Sequence, residues 1–204
     1  MWPNPFQIFG RFLTACTRPA AKNKMDIKNI FLIGYRCSGK TTVGKALALR
    51  LNFSFVDTDA ILVQKYGLII AKIIAEKGWQ EFRKMEEAVI KKVCNQKHQV
   101  VAFGGGVVLS HQNITAIQNN GKSVWLQVTP EIVRQRMLQD KSTPDMRPAL
   151  TSLNLMDEIT QTLKQREPLY RRAMDFAVSN EHLSIPQICD IIIDHYNFPE
   201  REKI

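Results

Sequence analysis

Cysteine is scarce and scattered in this 204-residue chain: Cys16, Cys37, Cys94 and Cys189 form no C-x-x-C pair. That excludes a disulfide framework and a cysteine-ligated metal site, and it fits a reducing compartment. No run approaches the ~18 apolar residues needed to cross a bilayer, so no membrane partner is expected. Dense Lys/Arg tracts with interleaved aromatics are also missing, although the net charge is +9. No nucleic-acid partner is therefore expected. Residues 1–25 lack any acid and carry Arg11, Arg18, Lys22 and Lys24, four of those nine charges. A targeting peptide also avoids acids, but residues 1–24 are poor in Ser and have no long apolar stretch. They are expected to be a basic, disordered extension, or the result of a start read too early. Repeats and low-complexity tracts are absent. With 45% hydrophobic and 23% charged residues, residues 25–204 are expected to form one globular domain, a cytoplasmic monomer.

What the chain does have is G-x-x-x-x-G-K-[ST], spelled Gly34-Tyr35-Arg36-Cys37-Ser38-Gly39-Lys40-Thr41. The apolar Ile30–Ile33 before it reads as a strand, and 42–49 after it as a helix. Strand, glycine-bounded loop and helix together make a P-loop. Backbone N–H groups of such a loop converge on phosphate, and the helix dipole adds to them. Gly34, Ser38, Gly39, Lys40, Thr41 and Thr42 are the candidate nucleotide-binding residues. Lys40 would reach the β- and γ-phosphates, and the Thr41 hydroxyl would ligate Mg²⁺. Cys37, inside the loop, is either a redox-sensitive thiol or simply a small loop residue.

Strand-like and helix-like segments alternate from Met25 onward. Strands are expected at 53–56, 99–102, 124–128 and 175–178 besides the first. Helices are expected over about 59–66, 69–77, 79–95, 111–119, from Pro130, 154–173 and 186–196, with Asn120-Gly121 capping the fourth of these. The order predicts a three-layer α/β/α sandwich around a mostly parallel sheet of about five strands. The polar, Pro-containing stretch at about 139–150 is a candidate mobile lid; such a loop can also be a plain surface connection.

Ligands of open parallel sheets sit beyond the carboxyl ends of the strands. The P-loop, Asp57-Thr58-Asp59 and Gly104-Gly105-Gly106 all fall there. Asp57 can anchor Mg²⁺, and Asp59 can orient a substrate hydroxyl and accept its proton; a surface turn or helix cap is the other reading of this pair. The triple glycine lets backbone approach a ligand and donate to an anion, or else serves only as a tight turn. Arg83, Arg147 and Arg166 offer forked guanidiniums suited to a carboxylate or phosphate. Spacing alone does not bring them together.

These motifs resemble shikimate kinase, a P-loop small-molecule kinase of the nucleoside monophosphate kinase-like type. The resemblance covers nearly all of residues 25–196. It rests on Asn29–Gly34 leading into the P-loop, Asp57-Thr58-Asp59, Glu81-Phe82-Arg83 with Glu86, Gly104-Gly105-Gly106, Arg147-Pro148, and Arg166-Glu167-Pro168-Leu169-Tyr170. It implies transfer of the ATP γ-phosphoryl group to the 3-hydroxyl of shikimate, on the way to chorismate and the aromatic amino acids. By the same resemblance, Lys40, Asp59 and Arg147 would be catalytic, with Asp59 the base. Arg83 and Arg166 would grip the shikimate carboxylate, and the triple glycine would line the pocket. Asp57 with Thr41 would hold Mg²⁺, and Arg136 would pack against adenine. Phe103 stands where the family usually has a small residue, Arg147-Pro148-Ala149-Leu150 replaces the usual Arg-Pro-Leu, and the lid is a few residues longer. Two alternatives stay open: a P-loop kinase for another small polyol or hydroxy acid, and a non-catalytic relative acting as a regulator.

Overall fold

Apolar strands buried along their length build the centre of the molecule. In strand β1 (Asn29–Ile33) all five residues are buried. Ile30 and Leu32 face one hydrophobic cluster while Phe31 and Ile33 face another. A strand covered on both faces must lie inside a sandwich. The computed structural model, which describes residues 27–139 and 154–198, shows this arrangement. Strands β1, β2 (Ser54–Asp57), β3 (Gln99–Ala102), β4 (Lys122–Gln127) and β5 (Phe176–Ser179) form one sheet in the order β2-β3-β1-β4-β5. Every pairing is parallel.

Helix α1 (Lys40–Leu51) buries Val43, Leu47 and Ala48 on one face of the sheet. The last helix, α7 (Ile185–His195), lies on that face too, through Ile188, Cys189 and Ile192. The opposite face is covered by α2 (Thr58–Tyr66), α3 (Ile70–Cys94), α4 (His111–Asn120) and α6 (Leu155–Ala173). Their contributions include Leu62, Phe82, Ile90, Ile117 and Tyr170. Burying each such side chain contributes about 1.5–3 kcal/mol. Helix α5 (Pro130–Gln139) packs Val133 in a smaller cluster with Tyr35 and Ile159.

The helices expected at 69–77 and 79–95 run as α3 with the expected break between them, at Gly78, whose φ of 78° and ψ of 167° are not helical. Gly121 stands at the C-cap of α4, as expected, in an extended conformation with φ of 178°. The reason for glycine there is space, since a Cβ would lie 2.6 Å from the Asn29 carbonyl oxygen. Residues 1–24 and 140–150 of the expected extension and lid, including Arg147, lie outside the described residues.

Strand order explains why the motifs meet. β1 leads into the P-loop, β3 into the triple glycine and β2 into Asp57-Thr58-Asp59, and these three strands are neighbours. In register, Leu32 and Asp57 both pair with Ala102, so the three strand ends are level.

Candidate active site

The P-loop closes on itself before opening into α1. The Ser38 N–H donates to the Tyr35 carbonyl at 3.2 Å. Gly39 then caps α1 with a φ of 86°, a left-handed conformation that an L side chain strains to adopt. Gly39 has no side chain with which to cap this helix, and no acid occupies its first turn. That end suits an anion, which the helix dipole favours. Lys40 is buried, and its Nζ donates to the carbonyls of Gly34 (2.9 Å) and Tyr35 (2.7 Å) and to Ser38 Oγ (3.3 Å). Cys37 holds a left-handed φ of 60° without being glycine.

A cavity of about 820 Å³ opens beside the loop, lined by Gly39, Lys40, Thr41 and Thr42, by Asp57 and Asp59, and by Arg136. Arg136 donates to the Cys37 carbonyl (3.0 Å) and to Asn180 Oδ1 (2.8 Å). Asn180 in turn donates through Nδ2 to the Ser38 carbonyl. The cavity continues past Leu183, Ser184 and Pro186 at the start of α7. Ser184 and Gln187 form a reciprocal capping box there.

Asp57 serves two structures with its two oxygens. Oδ1 accepts from the backbone N–H groups of Asp59 (3.0 Å) and Ala60 (3.3 Å), capping α2. Oδ2 accepts from the Thr41 hydroxyl at 2.9 Å. The helix-cap reading of Asp57 therefore holds. A hydroxyl and a carboxylate touching at the phosphate end of a P-loop form the hard-oxygen donor set that Mg²⁺ takes, so the residues present fit that ion.

Asp59 lines both the large cavity and a second cleft of about 70 Å³. The cleft is also lined by Arg36, Arg83, Glu86, Arg166 and the triple glycine. The three glycines are required by closeness. A Cβ on Gly104 would lie 2.6 Å from an Asp59 carboxylate oxygen, and one on Gly106 would lie 2.4 Å from the Arg83 guanidinium. The Gly105 carbonyl accepts from Arg166 Nη1 (3.1 Å) and from the Tyr170 hydroxyl (2.6 Å). Burial pushes the Tyr170 phenol far up, so it stays a donor.

Arg83 is held by Glu86, with Nη1 to Oε2 at 2.6 Å, and its guanidinium sits over the rings of Phe82 and Trp79. Glu86 is 2% exposed. Burial raises its carboxyl above the usual range, and the Arg83 charge opposes that rise. Phe103, the departure beside the triple glycine, is buried and packs on Phe31 at 5.4 Å between ring centroids. It belongs to the core and also lines the large cavity.

All the sequence-derived site residues within the described segments thus gather on one rim. Sequence reasoning gave no role to Arg36, Glu86, Tyr170 or Asn180. The only local signal among them was the position of Arg36 inside the P-loop and of Glu86 and Tyr170 inside quoted motifs. Asn180 had none, because its partner at Ser38 is 142 residues away.

Comparison with known proteins agrees with this geometry. The family model for shikimate kinase matches residues 36–197. A shikimate kinase of Rhodopirellula baltica is 36% identical over 168 residues, covering 81% of this chain and 90% of that protein. One from Nitratidesulfovibrio vulgaris is 38% identical over 156 residues, covering 76% and 89%. Among solved structures, a shikimate kinase from Acinetobacter baumannii in complex with shikimate superposes with a TM-score of 0.77 at 30% identity, over 83% of this chain and 93% of that one. A Bacteroides thetaiotaomicron shikimate kinase gives 0.76 at 28% identity, over 84% and 99%. Fold, rim chemistry and relatives agree, and the chain belongs to the shikimate kinase family.

Proposed function

We infer that this protein transfers the γ-phosphoryl group of ATP to the 3-hydroxyl of shikimate, giving shikimate 3-phosphate and ADP. One observation carries the reading: Asp59 lines both the cavity beside the P-loop and the cleft that holds Arg83 and Arg166. A hydroxyl delivered from the cleft meets both Asp59 and the incoming phosphoryl group.

Phosphoryl transfer needs alignment and charge neutralisation more than covalent help. ATP phosphates bind at the N–H groups that open α1, and Lys40 reaches from its loop carbonyls to phosphate oxygens. Thr41 and Asp57 would hold Mg²⁺, which would supply charge neutralisation to the phosphates. Adenine lies along Arg136 and the Leu183–Pro186 segment. Arg83 and Arg166 fork onto the shikimate carboxylate, the triple glycine forms the floor, and Asp59 orients the hydroxyl and takes its proton. Arg147 steadies the phosphates. An acceptor without a carboxylate gains nothing from Arg83 and Arg166, which sets this reading above a kinase for neutral polyols. The test is ADP release from Mg-ATP in the presence of shikimate; release that does not depend on shikimate would contradict it.

A further inference from the structure

Arg36 belongs to the donor loop by its backbone and to the acceptor cleft by its side chain. Its guanidinium forms a buried ion pair with Glu158 of α6, a contact between residues 122 positions apart. The residues are 7% and 2% exposed. The Arg36 backbone nitrogen lies 3.1 Å from where a Cβ on Gly105 would stand, so the loop abuts the triple glycine. Gly105 is in turn gripped through its carbonyl by Arg166 and Tyr170 of α6. Glu158, Thr162, Arg166 and Tyr170 follow one another at four-residue spacing and so share one face of α6. That face meets the donor loop at Glu158 and the cleft at Arg166.

A buried ion pair is weak support for stability, because desolvation consumes most of its Coulombic gain. Its value lies in fixing geometry. The carbonyls of Gly34 and Tyr35, on the N-terminal side of Arg36, accept from Lys40. Any shift of this loop around a phosphate would reach α6 through the Arg36–Glu158 pair. We propose that Arg36 and Glu158 are a positioning pair that couples nucleotide binding at the P-loop to the acceptor clamp at Arg166. This rests on the shikimate-phosphorylating reading above.

The experiment is calorimetric titration of shikimate into the full chain, with and without saturating Mg-ADP, for the native protein, Arg36→Met/Glu158→Leu and Arg36→Lys. The double variant removes both charges together and leaves neither buried alone. For the native protein Mg-ADP should tighten shikimate binding at least ~5-fold, and shikimate should tighten Mg-ADP by the same factor. The double variant should keep its melting temperature and its binding of Mg-ADP alone, while the tightening falls to below ~2-fold. Arg36→Lys keeps the charge but loses the fork, and should show reduced tightening; it decides the matter if the double variant does not fold. Shikimate binding to the native protein without tightening, or full tightening retained in the folded variants, would overturn the coupling. No shikimate binding at all would overturn the functional reading instead.

Discussion

Lys40 is bonded to three oxygens of its own loop. Those contacts keep a buried ammonium satisfied and place it where phosphate will arrive. Lys40→Ala should cost several kcal/mol of transition-state stabilisation, a loss of about 10²-fold or more in kcat. Steady-state kinetics check this, and near-native turnover would refute the role. Arg83 is fixed on three sides, by Glu86, Phe82 and Trp79. Arg83→Ala should raise KM for shikimate by about 10-fold or more, the loss of a charged bidentate contact. KM for ATP should change little; equal loss for both ligands would signal a general structural defect. These two residues were legible in the sequence because each lies in a short motif with its own chemistry. Arg36 lies in such a motif too, but its partner was hidden, since nothing local announces Glu158.

At the scale of elements, the placement of Arg83 depends on the break in α3. Gly78 has a φ and ψ that are nearly exclusive to glycine, although a Cβ there would meet nothing within 4 Å. Gly78→Ala should therefore destabilise by about 1–3 kcal/mol through backbone strain alone. Thermal melting measures the cost, and a raised KM for shikimate should accompany it, because the second half of α3 carries Arg83. The sequence placed this break correctly but left the strand ends vague by one or two residues. Beside β5, Asp175 accepts from the backbone N–H of Ser123 (2.9 Å) and from Lys122 Nζ (2.9 Å), tying β5 to β4. Partial burial pushes its carboxyl up, but the bonds from Ser123 and Lys122 outweigh this and the net shift is downward. A depressed carboxyl contributes stability that is present above its unfolded pKa of about 4 and lost as pH falls through the lower folded value. Asp175→Asn should lower the melting temperature at pH 7, and its gap to the native protein should shrink below about pH 4. A gap that stays constant down to pH 2 would contradict the assignment.

For the whole molecule, the alternation of strand and helix was enough to foresee a three-layer sandwich with its site at the strand carboxyl ends. The order β2-β3-β1-β4-β5 was not legible, because strand pairing is a non-local choice that local patterning leaves open. That order is what sets Asp57, Gly104 and the P-loop side by side. The donor cavity was half legible: its loop is a motif, whereas Asn180 and the start of α7 reach it only through tertiary packing. Among the described residues no helix is long and apolar enough to cross a membrane. The central claim is that one rim holds a phosphoryl donor and a hydroxylated carboxylate on either side of Asp59. Coupled detection of ADP from Mg-ATP, with shikimate and with a neutral polyol as acceptors, tests it most directly. The account predicts turnover with shikimate that falls by about 10²-fold or more in Asp59→Asn, as for the loss of a general base. Turnover without shikimate, equal turnover with the polyol, or an unaffected Asp59→Asn would contradict it.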